Sequence, residues 1–498
     1  MSWKISKAIV FLKKNWAGMS LVILVALYTV TFSYLSIRRH AAFASSYDLA
    51  NMDQTVWNTI HGNFFSLSGS VDIVSRLGLH ADLILVLLSP FYLIYDHVAI
   101  LLVLQSFFIA LAAVPAYLLA RDVLKSKLKG LIIAVVYLLN PGVQWTNIYD
   151  FHGVALAMFF LLAAFYGTYR KKWKWVYLFA LLAMLTKESV SLAIVMLGIY
   201  TFVFVKERGR GLILTCAGMA WFLLTIFFLI PHFAEFGRYW VWDWFKLSDY
   251  SASSGEGINM QLIFERVVGA EAIGYYISLL KPFGFLPLIG LPWLFISAPD
   301  ILINLMSKQG QMRSIVFHYD SIAMVGLVMA TIFGWKYIEM GLKKYKFVGW
   351  IVGVLLIAAA VRTNYHYSPL PTTPSYWRPM YEVGQDEIAF EKALKEIPLE
   401  SSITASSEVR PHLTHRKYAF NLPNMIDNVD YIAMVDQNRI VGDYNPKEFE
   451  TQLIEKLSVD EDFELIFHQG HFYLFKRMRM KVGDNNPIQK SSLKNINM

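Results

Sequence analysis

Several short stretches of this chain hold titratable side chains where keeping them without a task is costly. The first is Tyr47-Asp48-Leu49-Ala50-Asn51-Met52-Asp53, with two carboxylates five residues apart. On one helix that spacing offsets them in angle, so they do not share a face well. A carboxylate so placed can take the proton of a hydroxyl nucleophile. The plainer account of Asp48 is a favourable first-turn charge on a solvated helix. A second stretch is Tyr149-Asp150-Phe151-His152. It suits either a helix cap followed by an interfacial histidine or half of a metal site. No third metal ligand is set by spacing, so no cofactor is expected, with a divalent metal as the less favoured alternative. Lys187-Glu188 stands between two short apolar runs. Adjacent residues do not face each other on a helix, so mutual pairing accounts for them poorly. His80 and Asp82 open an apolar stretch, where snorkelling polar ends are the alternative. His318 and Tyr319 precede another apolar run, and a tyrosine there is also an ordinary interface anchor. Arg76, Lys308 and Arg313 are candidate phosphate binders.

The elements that must position these groups are written in the composition. The chain has 498 residues, 56% of them hydrophobic and 16% charged, with mean hydropathy +0.43. Soluble domains carry about 25% charged residues. The apolar excess comes in separate long runs, which suits helices in lipid. The net charge of +8 does not argue for nucleic acid, because the basic residues sit in short clusters between those runs. Residues 1–16, 121–130, 170–174, 206–210 and 336–346 together hold 19 Lys or Arg against three acids, Asp122, Glu207 and Glu339. Basic short loops stay inside. The expected protein is therefore an α-helical, multi-pass plasma-membrane protein with about eleven transmembrane helices in residues 1–361 and its N-terminus in the cytoplasm. All twelve histidines then fall on outer segments, although inside loops are simply short. The single cysteine, Cys216, lies in an apolar run and says nothing about compartment.

After residue 361 the composition changes. Pro369, Pro371 and Pro374 mark a linker over 362–385. Helix- and strand-period runs over 386–477 indicate a small extracytoplasmic α/β domain. The polar tail 478–498 reads as disordered.

Residues 47–59, residues 140–153 ending in Tyr149-Asp150-Phe151-His152-Gly153, Lys187-Glu188, Phe317-His318-Tyr319 and Pro411-His412-Leu413-Thr414-His415-Arg416 occur in this order through nearly the whole chain. Together they resemble a family of polytopic membrane proteins of unknown function from archaea and bacteria. That family is distantly similar to the GT-C glycosyltransferases, which use polyprenyl-phosphate sugars. The chain departs from the family at Ser189, where an acid is usual, and after His80, where a proline is common. The resemblance implies a GT-C-like fold and a sugar transfer at the outer membrane face from a polyprenyl-phosphate donor to an acceptor hydroxyl. It implies Asp48 as catalytic base and Asp150 as a second catalytic acid that orients or supports it. Arg76 or Lys187 would meet the phosphate, and His80, His152, Glu188, His318 and Tyr319 would line the substrate pocket. The expected partners are membrane lipid, the lipid-linked donor and a glycan, lipid or protein acceptor. A transporter or lipid flippase, with the same charges lining a path, and a non-catalytic envelope scaffold are the competing readings. A transporter should show charges in mid-span and internal repeats. Here most charges sit at outer ends and no repeat is visible.

Overall fold

The architecture comes from a computed structural model of the chain. It describes residues 2–70, 74–235, 237–245, 260–439 and 447–478, of which 2–14 as backbone only. Residues 479–498, nearly all of the tail expected to be disordered, lie outside them, as do residues 246–259.

The membrane part is helical. Among the described residues, five helices are long and apolar enough to cross a bilayer: Asn15–Ala41, Ala99–Leu124, Arg208–Phe233, His318–Gly341 and Val348–Tyr367. The pair Lys127–Leu138 and Pro141–Ile148, bent by 49°, makes a sixth if counted as one span. The bend falls at Asn140-Pro141, where proline ends the run of backbone donors. The other expected crossings are shorter. Gly153–Tyr169, Trp173–Met184 and Val190–Val203 have 17, 12 and 14 residues. At 1.5 Å per residue, 12 residues rise about 18 Å, against a hydrocarbon core of about 30 Å. The proline-rich region over 270–306 is built of two short helices, Ala270–Leu280 and Ala298–Met306, separated by three 3-10 turns. Pro282, Pro287 and Pro292 sit at the starts of those turns and prevent a continuous helix. The turns lie directly on the His318–Gly341 span. A Cβ on Gly290 would stand 1.9 Å from the Ala330 carbonyl oxygen, so only glycine permits this approach.

The last span runs on to Tyr367, and an irregular stretch leads to a five-stranded sheet. Its order is Ala419–Asn421, Ile403–Ala405, Tyr431–Val435, Phe472–Arg477, Phe463–Gln469. The first three strands are parallel and the last two antiparallel to their neighbours. Side chains alternate across it. Tyr431, Ala433 and Val435 pack with Phe390 and Leu394 of the Gln385–Lys395 helix. Ile432 and Met434 pack with Leu453, Ile454 and Leu457 of the Glu448–Ser458 helix.

This unit is bolted to the first loop. Phe43, just past the first span, is buried in its core, stacked 3.9 Å from the His412 ring. Arg410 donates to Asn51 Oδ1 at 2.6 Å and Gln54 Oε1 at 2.9 Å on the Tyr47–Ile60 helix. The edge strand is covered, because Asn421 N donates to the Gly69 carbonyl at 3.0 Å. A Cβ on Gly69 would stand 3.1–3.3 Å from Asn51 and the Arg410 guanidinium, which explains a small residue there.

Candidate active site

The Tyr47–Ile60 helix begins at a cap that presents Asp48. Ser46 is the N-cap, and its Oγ accepts from Asp48 N at 3.2 Å. Ser46 is itself held by Asp150, whose Oδ2 accepts from Ser46 N at 2.9 Å and Oγ at 2.5 Å. Arg39, from the end of the first span, donates to Asp150 Oδ1 at 2.7 Å and to the Ile148 carbonyl at 2.5 Å. Asp150 has φ +101°, a conformation rare outside glycine. Gln105 fixes that turn: its Nε2 donates to the Asp150 carbonyl at 2.7 Å, and its Oε1 accepts from His152 N at 2.7 Å. Arg39 and Gln105 are thus the polar groups that two apolar spans devote to the Asp150–His152 turn.

In front of this clamp lies a cavity of about 620 Å³. Asp48, Arg76, His80, His152, Lys187, Glu188, His318 and Tyr319 all line it. Asp150 does not. It sits behind the wall with a fully buried side chain, bonded to Ser46 and Arg39, where it can support the Asp48 cap but cannot touch a molecule in the cavity. Arg313 is also off the wall, paired with Glu271 at 2.8 Å and donating to the Ser307 carbonyl at 2.6 Å. Lys308 is likewise absent from it.

Three clusters make the wall. In the first, Asp48 Oδ2 stands 3.6 Å from His152 Nε2, and the Asp48 side chain keeps 27% of its surface open. The His152 ring stacks on His318 with centroids 3.6 Å apart, and the Nδ1 atoms of both rings are buried without a hydrogen-bond partner. Burial works to raise the Asp48 carboxyl. The His152 contact, with Arg76 and His80 beyond it, outweighs this and holds it below the ordinary carboxylate value. In the second cluster, buried Glu188 accepts from His80 Nδ1 at 2.9 Å, Ala81 N at 3.1 Å and Tyr239 OH at 2.6 Å. Here too burial pushes up, and His80, Lys187 and Tyr239 together pull the carboxyl well down. In the third, Arg76 grips Asp82 with Nε at 3.0 Å and Nη2 at 2.7 Å from Oδ2. Arg76 is therefore a neutralised cation facing the cavity. Lys187 lines the cavity beside it and is half-buried.

Sequence reading missed two parts of this wall. Asp300 lines the cavity with a buried, unpartnered Oδ2. Its signal is an acid in the first turn of an otherwise apolar helix, Ala298–Met306. The turn Trp240–Phe245 lies beside the His80 cluster, with Trp240 Nε1 donating to the Leu79 carbonyl at 3.0 Å and its ring edge-on to His80. With Phe222 and Ile226 it supplies an apolar part of the lining. Among the described residues, no group of three or more His, Cys, Asp or Glu is placed to hold a metal ion. Chemically, the wall offers an ionised and accessible carboxylate, a lysine, histidines with unused nitrogens and an apolar approach.

The profile of a family described as "Predicted membrane protein (DUF2079)" matches residues 39–472. No curated protein sequence matches the chain. Among solved structures, the arabinofuranosyltransferase AftD from Mycobacteria superposes with a TM-score of 0.50 at 10% identity over 93% of this chain. The chain spans 40% of the AftD chain. ArnT from Cupriavidus metallidurans, bound to undecaprenyl phosphate, gives a TM-score of 0.48 at 11% identity, covering 91% of this chain and 97% of ArnT. Its apo state gives 0.48 at 12% identity, covering 92% and 98%. The AftD likeness agrees with a GT-C-like fold.

Proposed function

The chain belongs to the DUF2079 family of predicted membrane proteins, and from that premise we propose that it is an inverting glycosyltransferase using a polyprenyl-phosphate sugar. The observation that carries the reading is Asp48: an ionised carboxylate, open to a cavity that also holds Lys187 and Arg76, at one end of a helical membrane bundle. A hydroxyl is a weak nucleophile at neutral pH, and a placed base contributes about 10²–10⁴-fold. The acceptor oxygen attacks the anomeric carbon, the carbon–phosphate-oxygen bond breaks, and the proton passes to Asp48. The polyprenyl phosphate leaves with the bonding pair, and Lys187 meets its growing charge. The apolar lining of Phe222, Ile226 and Trp240 suits the start of a prenyl chain. A lipid-carried donor fits a site outside the cell, where nucleotide sugars are absent. The gathering of titratable groups at one end favours transfer chemistry over a transport path, which needs polar groups in mid-span.

The reading places the cavity and the C-terminal domain on the outer face and the N-terminus inside. Labelling of Lys172→Cys in a Cys216→Ser background tests this: reagent confined to the outside should leave it unmodified. The activity test is sugar transfer from polyprenyl-phosphate donors by purified wild-type protein and Asp48→Asn. Absence of transfer by the wild type with every such donor would overturn the enzyme reading.

A further inference from the structure

The His318–Gly341 span links two concavities. Its first residues line the cavity described above, and its last turns reach a separate cleft of about 420 Å³ lined by Lys125, Lys336, Lys343, Glu339, Leu124 and Met340 among others. From Ser321 to Gly341 the helix rises about 30 Å, one hydrocarbon thickness. The cleft therefore lies at the opposite end of the bundle.

Its charge is one-sided. Glu339 is the only acid among its described lining residues. That carboxylate is already engaged: Lys129 Nζ stands 2.5 Å from Oε1, and Trp335 Nε1 donates to the same oxygen at 3.0 Å. Three lysines, Lys125, Lys336 and Lys343, line the same concavity without a carboxylate of their own there. Lys125 arrives by a left-handed turn, φ +53°, that ends the Ala113–Leu124 helix and turns the chain towards the next one. Lysines that only marked topology would need exposure and nothing more; these line a shared concavity. Its apolar lining is Val123 and Leu124, both buried, with Met340, 60% exposed. Lysines beside exposed apolar surface, at the end of membrane-crossing helices, match a phosphate group carried on acyl chains.

We propose that this cleft binds the phosphate headgroup of an acidic membrane lipid. It is distinct from the candidate active site and does not depend on the transferase reading. The test uses the purified full-length protein in phosphatidylcholine nanodiscs or micelles, with lipid retention read by native mass spectrometry. Phosphatidylglycerol should be retained in preference to phosphatidylcholine. Lys125→Ser/Lys336→Ser/Lys343→Ser should weaken that retention by roughly fivefold per lysine, with an unchanged unfolding temperature. Lys172→Ser/Lys344→Ser/Lys346→Ser removes the same charge outside the cleft and should retain the lipid as the wild type does. Equal losses in the two triple variants would reduce the effect to diffuse charge and overturn the proposal, as would no loss in the cleft variant. Inorganic pyrophosphate separates the sources: binding of pyrophosphate without any preference for phosphatidylglycerol would overturn the lipid assignment in favour of a soluble phosphate.

Discussion

On the Tyr47–Ile60 helix, Asp53 accepts from Tyr92 OH and Thr414 Oγ1 and lies 3.2 Å from His415 Nε2, with its side chain fully buried. Asp48, five residues earlier, has one histidine at 3.6 Å and an open carboxylate. The two faces of one helix thus divide the work. The Asp53 face is a joint, whose polar groups are matched by the C-terminal unit. The Asp48 face is a wall, whose polar groups are held in place from behind and left unused in front. Low exposure alone would rank Asp53 as the more guarded and important acid. Counting partners reverses the order, because a group meant to react must keep capacity to spare.

The sharpest way to break this contrast is Asp48→Asn. Transfer per folded molecule should fall by about 10²–10⁴-fold while the unfolding temperature stays close to wild type. Full activity in this variant would falsify the base assignment. Arg39→Gln attacks the wall from behind. Asp150 would remain buried with Ser46 alone, at a cost of about 3–5 kcal/mol in stability, measured by detergent-resistant thermal unfolding. An unchanged melting curve would mean that the clamp does not hold the cap. Asp53→Asn should cost about 1.5–3 kcal/mol, the worth of one hydrogen bond to a charged group, and leave transfer per folded molecule nearly intact. A catalytic loss as large as that of Asp48→Asn would erase the distinction between the faces.

The smallest effect concerns pH. Burial works to raise Glu391, but the His412 hydrogen bond and charge, with Lys395, bring it down to about 2. His412 Nε2 also contacts the His40 carbonyl of the first span at 3.0 Å, so the pair supports the joint. A depressed carboxyl stabilises the folded form above its ordinary value of 4.5, and that contribution fades as pH falls towards 2. Susceptibility of the 378–384 stretch to an acid protease should therefore rise across that window. His412→Asn should shift the onset to higher pH, and an identical onset in the variant would remove the pair from the joint.

Much of this contrast was legible in the sequence, for a definable reason. Asp48, His152, Lys187 and Glu188 stand beside apolar runs, and the cost of charge near lipid marks them without knowledge of the fold. What could not be read were long-range partnerships. Nothing near Asp150 announces that Arg39, 111 positions away, is buried against it, so its carboxylate looked as available as that of Asp48. Pro411-His412-Leu413-Thr414-His415-Arg416 was visible as a motif, but its task as a socket for Asp53 and Phe43 depends on contacts across 361 and more positions. Asp300 was hidden by its setting, since four prolines between 282 and 299 blurred the period that would have shown its face. Helix length was not legible where helices pack on one another, because a short helix and a long one have the same local hydropathy.

The bond between Arg410 and Asn51 joins residues 359 positions apart. At about 5–20 residues per second of synthesis, the first-loop helix waits roughly 20–70 s before its partners exist. During that interval Asp53 has Tyr92, Gln54 has Ser68 and the helix start is held through Ser46 and Asp150, while Asn51 waits for Arg410. The joint is begun first and completed last. Chain order therefore works as a timer: a chain interrupted before residue 410 has every residue that lines the cavity but not the socket that fastens the Asp53 face of the first-loop helix.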